Sequence, residues 1–343
     1  MQALYITEPG ATELRDIPAP QPSAGEVLLR PRLIGLCGTD LSTFRGKNPL
    51  VSYQRIPGHE IAATIVEIGS GVPADFYPGL NVTLYPNTSC GVCASCKRGR
   101  ANACKFNQTL GVQRDGALAG LFTAPWRKLV QAPRLSLRQL ALVEPLAVGF
   151  HAAERGRVGE EDIAAILGCG TVGLGAVAAA VSRGATVIAI DLDDRKLALA
   201  KEAGAQYVIN SSGSSLHDEL ASLTSALGPD VIIEAVGTPA TYRMAIEEVA
   251  HTGRIVYVGW VKEPVSFETS LFVHKELDIL GSRNYLNEFP AVIDVLGKGD
   301  FPVEAAISAT VPLESAGDAL REWSEFPQKF TKILVDLGGA CVP

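Results

Sequence analysis

A glycine-rich turn between two apolar runs constrains the fold of this 343-residue chain more than any other feature. Gly168-Cys-Gly-Thr-Val-Gly173 follows the apolar run Ala164–Leu167 and opens a stretch of small apolar residues with helical character. A second apolar run, Thr186–Ile190, ends at Asp191. The G-x-G-x-x-G spacing puts glycine at a tight strand-to-helix turn, at a close approach to a pyrophosphate and at a close helix–strand contact. The sequence therefore predicts a strand–helix–strand unit that binds a dinucleotide.

The same alternation continues through the second half of the chain. Stretches of helical character, such as Asp194–Ala203 and Pro239–Ala250, separate most of six apolar runs. The six runs are Ala164–Leu167, Thr186–Ile190, Tyr207–Ile209, Val231–Ala235, Arg254–Val258 and Leu277–Leu280. Strands that alternate with helices are typical of a doubly wound parallel sheet. We therefore predict an α/β domain with six parallel strands.

The first part of the chain has a different texture. It is rich in proline and glycine and contains short β-like runs such as Glu26–Ile34 and Ile61–Ile68, which predict a mostly antiparallel β domain. Beyond about Asn284 the alternation ends, and helices near Glu288–Leu296 and Glu314–Trp323 precede a last strand at Lys332–Val335. We assign residues 1–148 and 285–343 to the first domain and residues 149–284 to the dinucleotide-binding domain.

Asp191 indicates which dinucleotide is bound. It lies 18 residues after Gly173, where a carboxylate would hydrogen-bond the adenosine ribose hydroxyls and would repel a 2′-phosphate. NAD is therefore expected rather than NADP, although the nearby Arg195 weakens this preference. The alternative is that the glycines serve packing alone. The predicted dinucleotide-binding residues are Gly168, Gly170, Thr171, Val172, Gly173, Asp191, Arg195 and Lys196.

Four of the seven cysteines lie within fifteen residues, as Cys90, Cys93, Cys96 and Cys104. Pairs of cysteines separated by two residues wrap their thiolates around one ion, and four thiolates give Zn²⁺ a closed tetrahedral shell. A closed shell has no position for substrate, so the site is predicted to be a structural zinc site. Disulfides at this spacing would be strained, and a redox pair needs a different context. An iron–sulfur cluster remains the alternative.

Composition and charge exclude several classes of function. A net charge of −7 gives no electrostatic basis for binding nucleic acid. Ile163–Ser182 is uncharged and long enough to span a bilayer, but its glycines favour the dinucleotide turn instead. The N-terminal residues show no basic segment followed by an apolar core, so no signal peptide or membrane association is expected. Unevenly placed cysteines indicate a reducing compartment, and we expect a cytoplasmic protein.

A second set of metal-binding residue types lies outside the cysteine cluster. Cys37 stands in GLCGTD, His59 and Glu60 in PGHE, and Glu144 in VEP. Thiolate, imidazole and carboxylate are good zinc ligands, and three of them with one open position would form a catalytic site. Each residue alone would be interpreted as a buried cysteine, a turn histidine or a solvated glutamate.

GLCGTD, PGHE, the four-cysteine loop, VEP and GCGTVG, in this order, resemble the zinc-dependent medium-chain dehydrogenase/reductase superfamily over essentially the whole chain. Glu144 in place of a third cysteine resembles the polyol branch, which includes sorbitol and threonine dehydrogenases. FRGKNP, LGVQRDG and SRNYLNEFP resemble most the L-galactonate/L-gulonate 5-dehydrogenase-like proteins. This resemblance implies a Rossmann domain joined to a GroES-like catalytic domain.

The resemblance also implies roles for individual residues. Cys37 and His59 would bind a catalytic zinc, and Glu144 would complete the zinc's ligand shell or hold the zinc-bound water. Glu60 would either bind the zinc directly or be a carboxylate that moves in to bind it. Thr39 would accept the substrate's proton, and Asp40 would orient His59. Many relatives carry a histidine at the position of Ser42, so the proton relay must run differently here. The nicotinamide-flanking positions are Val236, Gly237, Val258, Gly259 and Arg283, which lie at or after the ends of predicted strands, where parallel sheets bind ligands.

The implied enzyme is an NAD-dependent oxidoreductase with two zinc ions per chain, one catalytic and one structural. It would transfer a hydride between NAD and a secondary alcohol of a polyol or sugar acid. The residues expected around the substrate, each with an equally good interpretation as a surface residue, are Arg45, Asn48, Gln113, Arg114 and Asn284. A simple alcohol or aldehyde dehydrogenase is the main alternative, and a non-catalytic regulatory homologue is a further one. Relatives are mostly dimers or tetramers, so a homo-oligomer, most simply a tetramer, is expected.

Overall fold

The computed structural model describes residues 1–213 and 215–338 of the chain. The strands within these residues are β1 (Gln2–Glu8), β2 (Ala11–Asp16), β3 (Glu26–Leu36), β4 (Glu60–Ile68), β5 (Asn81–Leu84), β6 (Phe122–Pro125), β7 (Leu129–Gln131), β8 (Ile163–Leu167), β9 (Thr186–Asp191), β10 (Tyr207–Asn210), β11 (Val231–Glu234), β12 (Arg254–Tyr257), β13 (Asp278–Gly281), β14 (Ala309–Pro312) and β15 (Ile333–Asp336).

The α-helices are α1 (Gly38–Phe44), α2 (Ala94–Lys97), α3 (Leu137–Arg155), α4 (Thr171–Ser182), α5 (Asp194–Glu202), α6 (Leu216–Leu223), α7 (Pro239–Glu248), α8 (Ser270–His274), α9 (Phe289–Lys298), α10 (Val303–Ala306) and α11 (Ala316–Glu325). Short 3₁₀ helices cover Ala101–Ala103, Trp126–Lys128, Leu313–Ser315 and Pro327–Lys329. The chain divides into two compact units, Met1–Glu144 with the segment from Ile307 onward, and Pro145–Ala306.

The second unit is built on a six-stranded sheet in the order β10-β9-β8-β11-β12-β13, with every neighbouring pair parallel. The prediction of a doubly wound parallel sheet is confirmed, and each of the six apolar runs forms one strand. Central strands such as β8 and β11 are almost wholly buried, which is why they appear in the sequence as unbroken apolar runs. The strand order reverses between β8 and β11, and ligands bind at such switch points.

The first unit contains a mostly antiparallel sheet, as predicted, in the order β14-β15-β3-β4-β5-β7, with β6 also paired to β3. The eleven-residue β3 is its central strand, and its partner β15 comes from the end of the chain, with Ile333 opposite Leu36. Side chains such as Leu29, Ile34 and Ile61 fill the core of this unit. The predicted final strand therefore lies in the first unit.

The predicted domain boundaries need two corrections. Residues 145–148 were assigned to the catalytic domain, but the second unit begins at Pro145. Residues 285–306 were assigned to the catalytic domain, but in the structure they belong to the second unit. Helix α9 contacts α4, and Phe289 and Val292 on α9 are completely buried. The imidazole Nδ1 of His151 lies 2.7 Å from a carboxylate oxygen of Glu288, just before α9. The sequence shows that α9 has an apolar face, but it does not show against which core that face packs.

The uncharged stretch 163–182 forms β8, the glycine turn and α4 rather than one long helix. Within the described residues, no helix is both long enough and apolar enough to cross a membrane.

Candidate active site

The glycine turn of the second unit has the geometry that its sequence motif requires. Gly168 has φ +92°, and a Cβ there would lie 2.6 Å from a methyl group of Val236. A Cβ on Gly173 would collide with the carbonyl oxygen of Gly168. Around Gly170, the N-cap of α4, a Cβ would meet nothing within 4 Å. The turn is therefore closed on its packed side and open at Gly170, where the first amides of α4 could receive a phosphate.

The carboxylate of Asp191 is fixed at the end of β9. Its Oδ2 accepts a hydrogen bond from the Cys169 amide at 2.7 Å, and its Oδ1 accepts from the Leu192 amide at 2.8 Å. The guanidinium of Arg195 instead pairs with Asp193, at 2.8 Å between Nη2 and Oδ2. Arg195 therefore pairs with a different carboxylate from the one at the end of β9.

The four clustered cysteines converge as a metal site requires. All four sulfur atoms lie within 4.8 Å of one another, and Cys93 Sγ is 3.5 Å from Cys96 Sγ and 3.8 Å from Cys104 Sγ. Tetrahedral zinc with bonds of about 2.3 Å requires sulfur atoms about 3.8 Å apart, so the donor set fits the ion. Hydrogen bonds from the Ser95 hydroxyl and backbone amides lower the pKa of Cys93, which favours the thiolate that binds metal.

A second group of polar side chains is buried in the first unit. Cys37 is the N-cap of α1, and its amide donates to Asp40 Oδ2 at 2.9 Å. Burial lowers the pKa of His59, but the neighbouring Cys37, Asp40 and Glu144 outweigh burial and raise it well above its usual value. Burial raises the pKa of Glu144 to about 7, although His59 opposes the shift. The structure thus brings together Cys37, His59 and Glu144.

This group holds side chains of the types that bind a divalent cation, although among the described residues only the four-cysteine cluster brings its ligand atoms within 4.8 Å of one another. Asp40, Glu60 and Glu144 are all buried, and buried charges are stable only when they are paired or bind a metal. His59 Nδ1 and Asp40 Oδ1 lie 3.9 Å apart, too far for a direct hydrogen bond, and neither has a hydrogen-bond partner among the described residues. At this separation Asp40 and His59 interact through their charges rather than through a direct hydrogen bond.

Glu60 has a partner that the sequence did not indicate. Lys332, four per cent exposed and preceding β15, donates to both Glu60 carboxylate oxygens at 2.7 and 2.5 Å and to the Leu36 carbonyl at 3.0 Å. Glu60 Oε2 also lies over Gly35, where a Cβ would collide with it. Glu60 is thus held by a lysine. A lysine in an apolar run is the only signal in the sequence, and it carries no information about a partner 272 residues away.

The structure gives several predicted substrate residues other partners. Arg45 donates from Nε to Ser324 Oγ at 2.9 Å, and Asn48 donates to Thr43 Oγ1 at 3.0 Å. Gln113 accepts from the Thr109 amide at 2.8 Å. Arg114 is half-buried, and its Nε has no hydrogen-bond partner in the described part of the chain. That Nε is itself buried from solvent, so it is not exposed to a substrate.

Thr39 lies in the first turn of α1, two residues after Cys37, and is half-buried. Its carbonyl accepts a bond from Thr43 Oγ1 at 3.0 Å. Ser42 lies one turn further along the same helix and is also half-buried. In the second unit Asn284 has a positive φ of 50° and lies directly after Arg283.

Two family models match the chain: a zinc-binding dehydrogenase over residues 171–298 and an alcohol dehydrogenase GroES-like domain over residues 23–134. Sorbitol dehydrogenase of Bacillus subtilis (strain 168) is 32% identical over 342 residues, which cover 98% of this chain and 97% of that protein. L-galactonate-5-dehydrogenase of Escherichia coli (strain K12) is 28% identical, over 93% of this chain and 94% of that protein. The structure of RspB from E. coli CFT073 with NADH is 32% identical, with a TM-score of 0.90 over 98% of this chain and 99% of that chain. The similarity therefore extends over both units.

Proposed function

We propose that this chain oxidises a secondary alcohol of a polyol or sugar acid with NAD. The chain belongs to the zinc-dependent medium-chain dehydrogenase/reductase family and to its polyol branch. Membership makes the chain a zinc-dependent oxidoreductase that acts on alcohols and uses a nicotinamide cofactor. The choice of NAD, the number of zinc ions and the substrate class are the proposal. The observation that carries it is the grouping of Cys37 with the buried His59 and Glu144 in a chain that also has the dinucleotide turn.

Two zinc ions per chain follow from two different donor sets. The closed shell of Cys90, Cys93, Cys96 and Cys104 suits a structural ion. Cys37, His59 and Glu144 would hold the catalytic ion, which supplies Lewis-acid polarisation of the substrate hydroxyl. Since Lys332 already neutralises Glu60, we assign Glu60 to positioning and charge balance rather than to permanent ligation.

The protein's own side chains move the proton and bind the cofactor. The Thr39 hydroxyl accepts the proton of the substrate hydroxyl, and Ser42, water or the ribose hydroxyls carry it onward. A bound nicotinamide would supply the hydride acceptor for the alcohol carbon, and orientation of the two reactants would supply much of the rate. Gly168, Gly170 and Gly173 shape the pyrophosphate turn, while Thr171, Val172 and Lys196 complete the cofactor-binding set together with Arg283.

The preference for NAD rests on Asp191. Its carboxylate accepts hydrogen bonds from three amides at the end of β9, and Arg195 pairs with Asp193. A 2′-phosphate would therefore meet a fixed like charge. The preference for polar substrates rests on Glu144 in place of a cysteine and on the sorbitol and L-galactonate dehydrogenases to which the chain is similar.

The test is the absorbance of reduced nicotinamide after zinc-loaded protein is mixed with NAD or NADP and a panel of polyols, aldonates and simple alcohols. Turnover of polyols or aldonates with NAD, lost with a chelator and restored by zinc, would support the proposal. Faster turnover of simple hydrophobic alcohols would favour the alternative of a simple alcohol dehydrogenase. No turnover across the panel would contradict the polyol assignment.

A further inference from the structure

A buried glutamate stands at the end of β11, where apolar residues fill the rest of the strand. Glu234 is completely buried, and its Oε1 accepts from the amides of Val236 at 2.9 Å and Gly237 at 2.7 Å. The hydroxyl of Thr241, in the first turn of α7, donates to the same oxygen at 2.8 Å. The carboxylate thus fixes the loop that leads from β11 to α7.

The same glutamate contacts the loop after the neighbouring strand β12. The Gly259 amide donates to the main-chain carbonyl of Glu234 at 3.0 Å, and a Cβ on Gly259 would lie 2.6 Å from Glu234 Oε2. The phenol of Tyr242, on α7, donates to the Gly259 carbonyl at 2.5 Å. Two loops from adjacent strands are therefore joined around one carboxyl group.

A buried carboxyl group at this position lowers the stability of the fold, so folding alone does not explain its presence. Burial raises the pKa of Glu234, although the amides and the Thr241 hydroxyl oppose the shift. Its Oε2 has no hydrogen-bond partner among the described residues, and such an orphaned buried atom costs stability. An apolar residue like its neighbours Ile232 and Ile233 would avoid that cost. Polar groups kept at such a cost are often found at functional sites.

The loops that Glu234 joins lie at the carboxyl ends of parallel strands, beside the point where the strand order reverses, which is where such sheets bind ligands. We propose that Glu234 is a positioning residue for the nicotinamide half of the cofactor. Its Oε1 holds the amides of Val236 and Gly237, and its Oε2 packs against Gly259, so that both loops are set before the cofactor arrives. The inference rests on the proposed cofactor binding and adds a residue that acts through the loops.

The experiment compares NADH with ADP, which has only the adenosine half, by calorimetry on zinc-loaded protein. Glu234→Ala should weaken NADH binding about tenfold, because two loop amides lose their buried acceptor, and should leave ADP affinity unchanged. Glu234→Gln keeps an oxygen acceptor and should recover most of the lost affinity. Glu202→Gln, an exposed glutamate of the same unit, is the matched control and should change neither affinity.

Hydrogen exchange in the absence of cofactor gives a second readout. Glu234→Ala should speed amide exchange in both residues 235–241 and 258–261, with no change in residues 168–191. Equal losses of NADH and ADP affinity, or unchanged exchange in either loop, would overturn the inference. A wild-type protein that binds ADP but not NADH would contradict the proposed function instead, and the exchange result would still decide whether Glu234 joins the loops.

Discussion

Replacement of Lys332 by methionine tests the charge balance of the candidate active site. The ammonium group is nearly inaccessible and makes three hydrogen bonds, two to Glu60 and one to the Leu36 carbonyl. Burial lowers the pKa of Lys332, but Glu60 and Cys37 outweigh it and raise the pKa above its usual value, so the lysine is charged at neutral pH. Methionine fills similar volume without charge.

The expected loss follows from what remains behind. Lys332→Met leaves the Glu60 carboxylate one per cent exposed and without its cation, beside Asp40 and Glu144. Breaking a buried pair by removal of one partner costs about 3–5 kcal/mol. Replacing both partners, as in Glu60→Gln with Lys332→Met, removes the uncompensated charge, so the double variant should be more stable than Lys332→Met alone.

The assay is a double-mutant cycle on zinc-loaded protein, with urea unfolding followed by tryptophan fluorescence. Trp126 and Trp323 both lie in the first unit and report on it. Exposed Lys329→Met, three residues upstream, is the matched control and should cost less than about 1 kcal/mol. A Lys332→Met loss of that same small size, or single-variant losses that simply add, would refute the reasoning.

Three further outcomes are expected. Thr39→Val should lower turnover by about a hundredfold while zinc content and NADH affinity stay unchanged, and Thr39→Ser should retain activity; equal activity of Thr39→Val and wild type in steady-state assays would remove Thr39 from the proton path. Asp191→Ala should shift the ratio of kcat/KM values from NAD towards NADP, and an unchanged ratio would show that another residue selects the cofactor. Burial raises the pKa of Glu288, but hydrogen bonds from His151 and from backbone amides outweigh burial and hold this pKa below its ordinary value of 4.5. The His151–Glu288 pair therefore stabilises the fold above pH 4.5, and this stabilisation is lost as the pH falls through the lowered pKa. Glu288→Gln should therefore be less stable than wild type at pH 7 in thermal unfolding, and the difference should disappear in acid; a constant difference would exclude the pair as its cause.

The sequence predicted the parallel sheet well because its strands are buried on both faces. Val231–Glu234 and Ile163–Leu167 are apolar along nearly their whole length, and such runs stand out between amphipathic helices. The four-cysteine site could also be predicted from the sequence. All its ligands lie within one short loop, so their spacing alone indicates that they converge on one ion.

Long-range polar pairs could not be predicted in the same way. Lys332 and Glu60 are 272 residues apart, and Arg45 and Ser324 are 279 apart, so no local pattern links them. Residues 285–306 were misplaced for a related reason: the amphipathic helix α9 shows that it packs on a core but not which core. Glu234 was overlooked because a single glutamate at the end of an apolar run resembles an ordinary strand end.

Zinc content per chain tests the central claim most directly. Elemental analysis of purified wild-type protein should give two zinc ions per chain, and Cys37→Ser should give one, because its closed four-cysteine site remains intact. Cys93→Ser, the matched variant at the other site, should also lose one ion. The account would be contradicted if Cys37→Ser bound as much zinc as wild type, because the group of Cys37, His59 and Glu144 would then not be a metal centre.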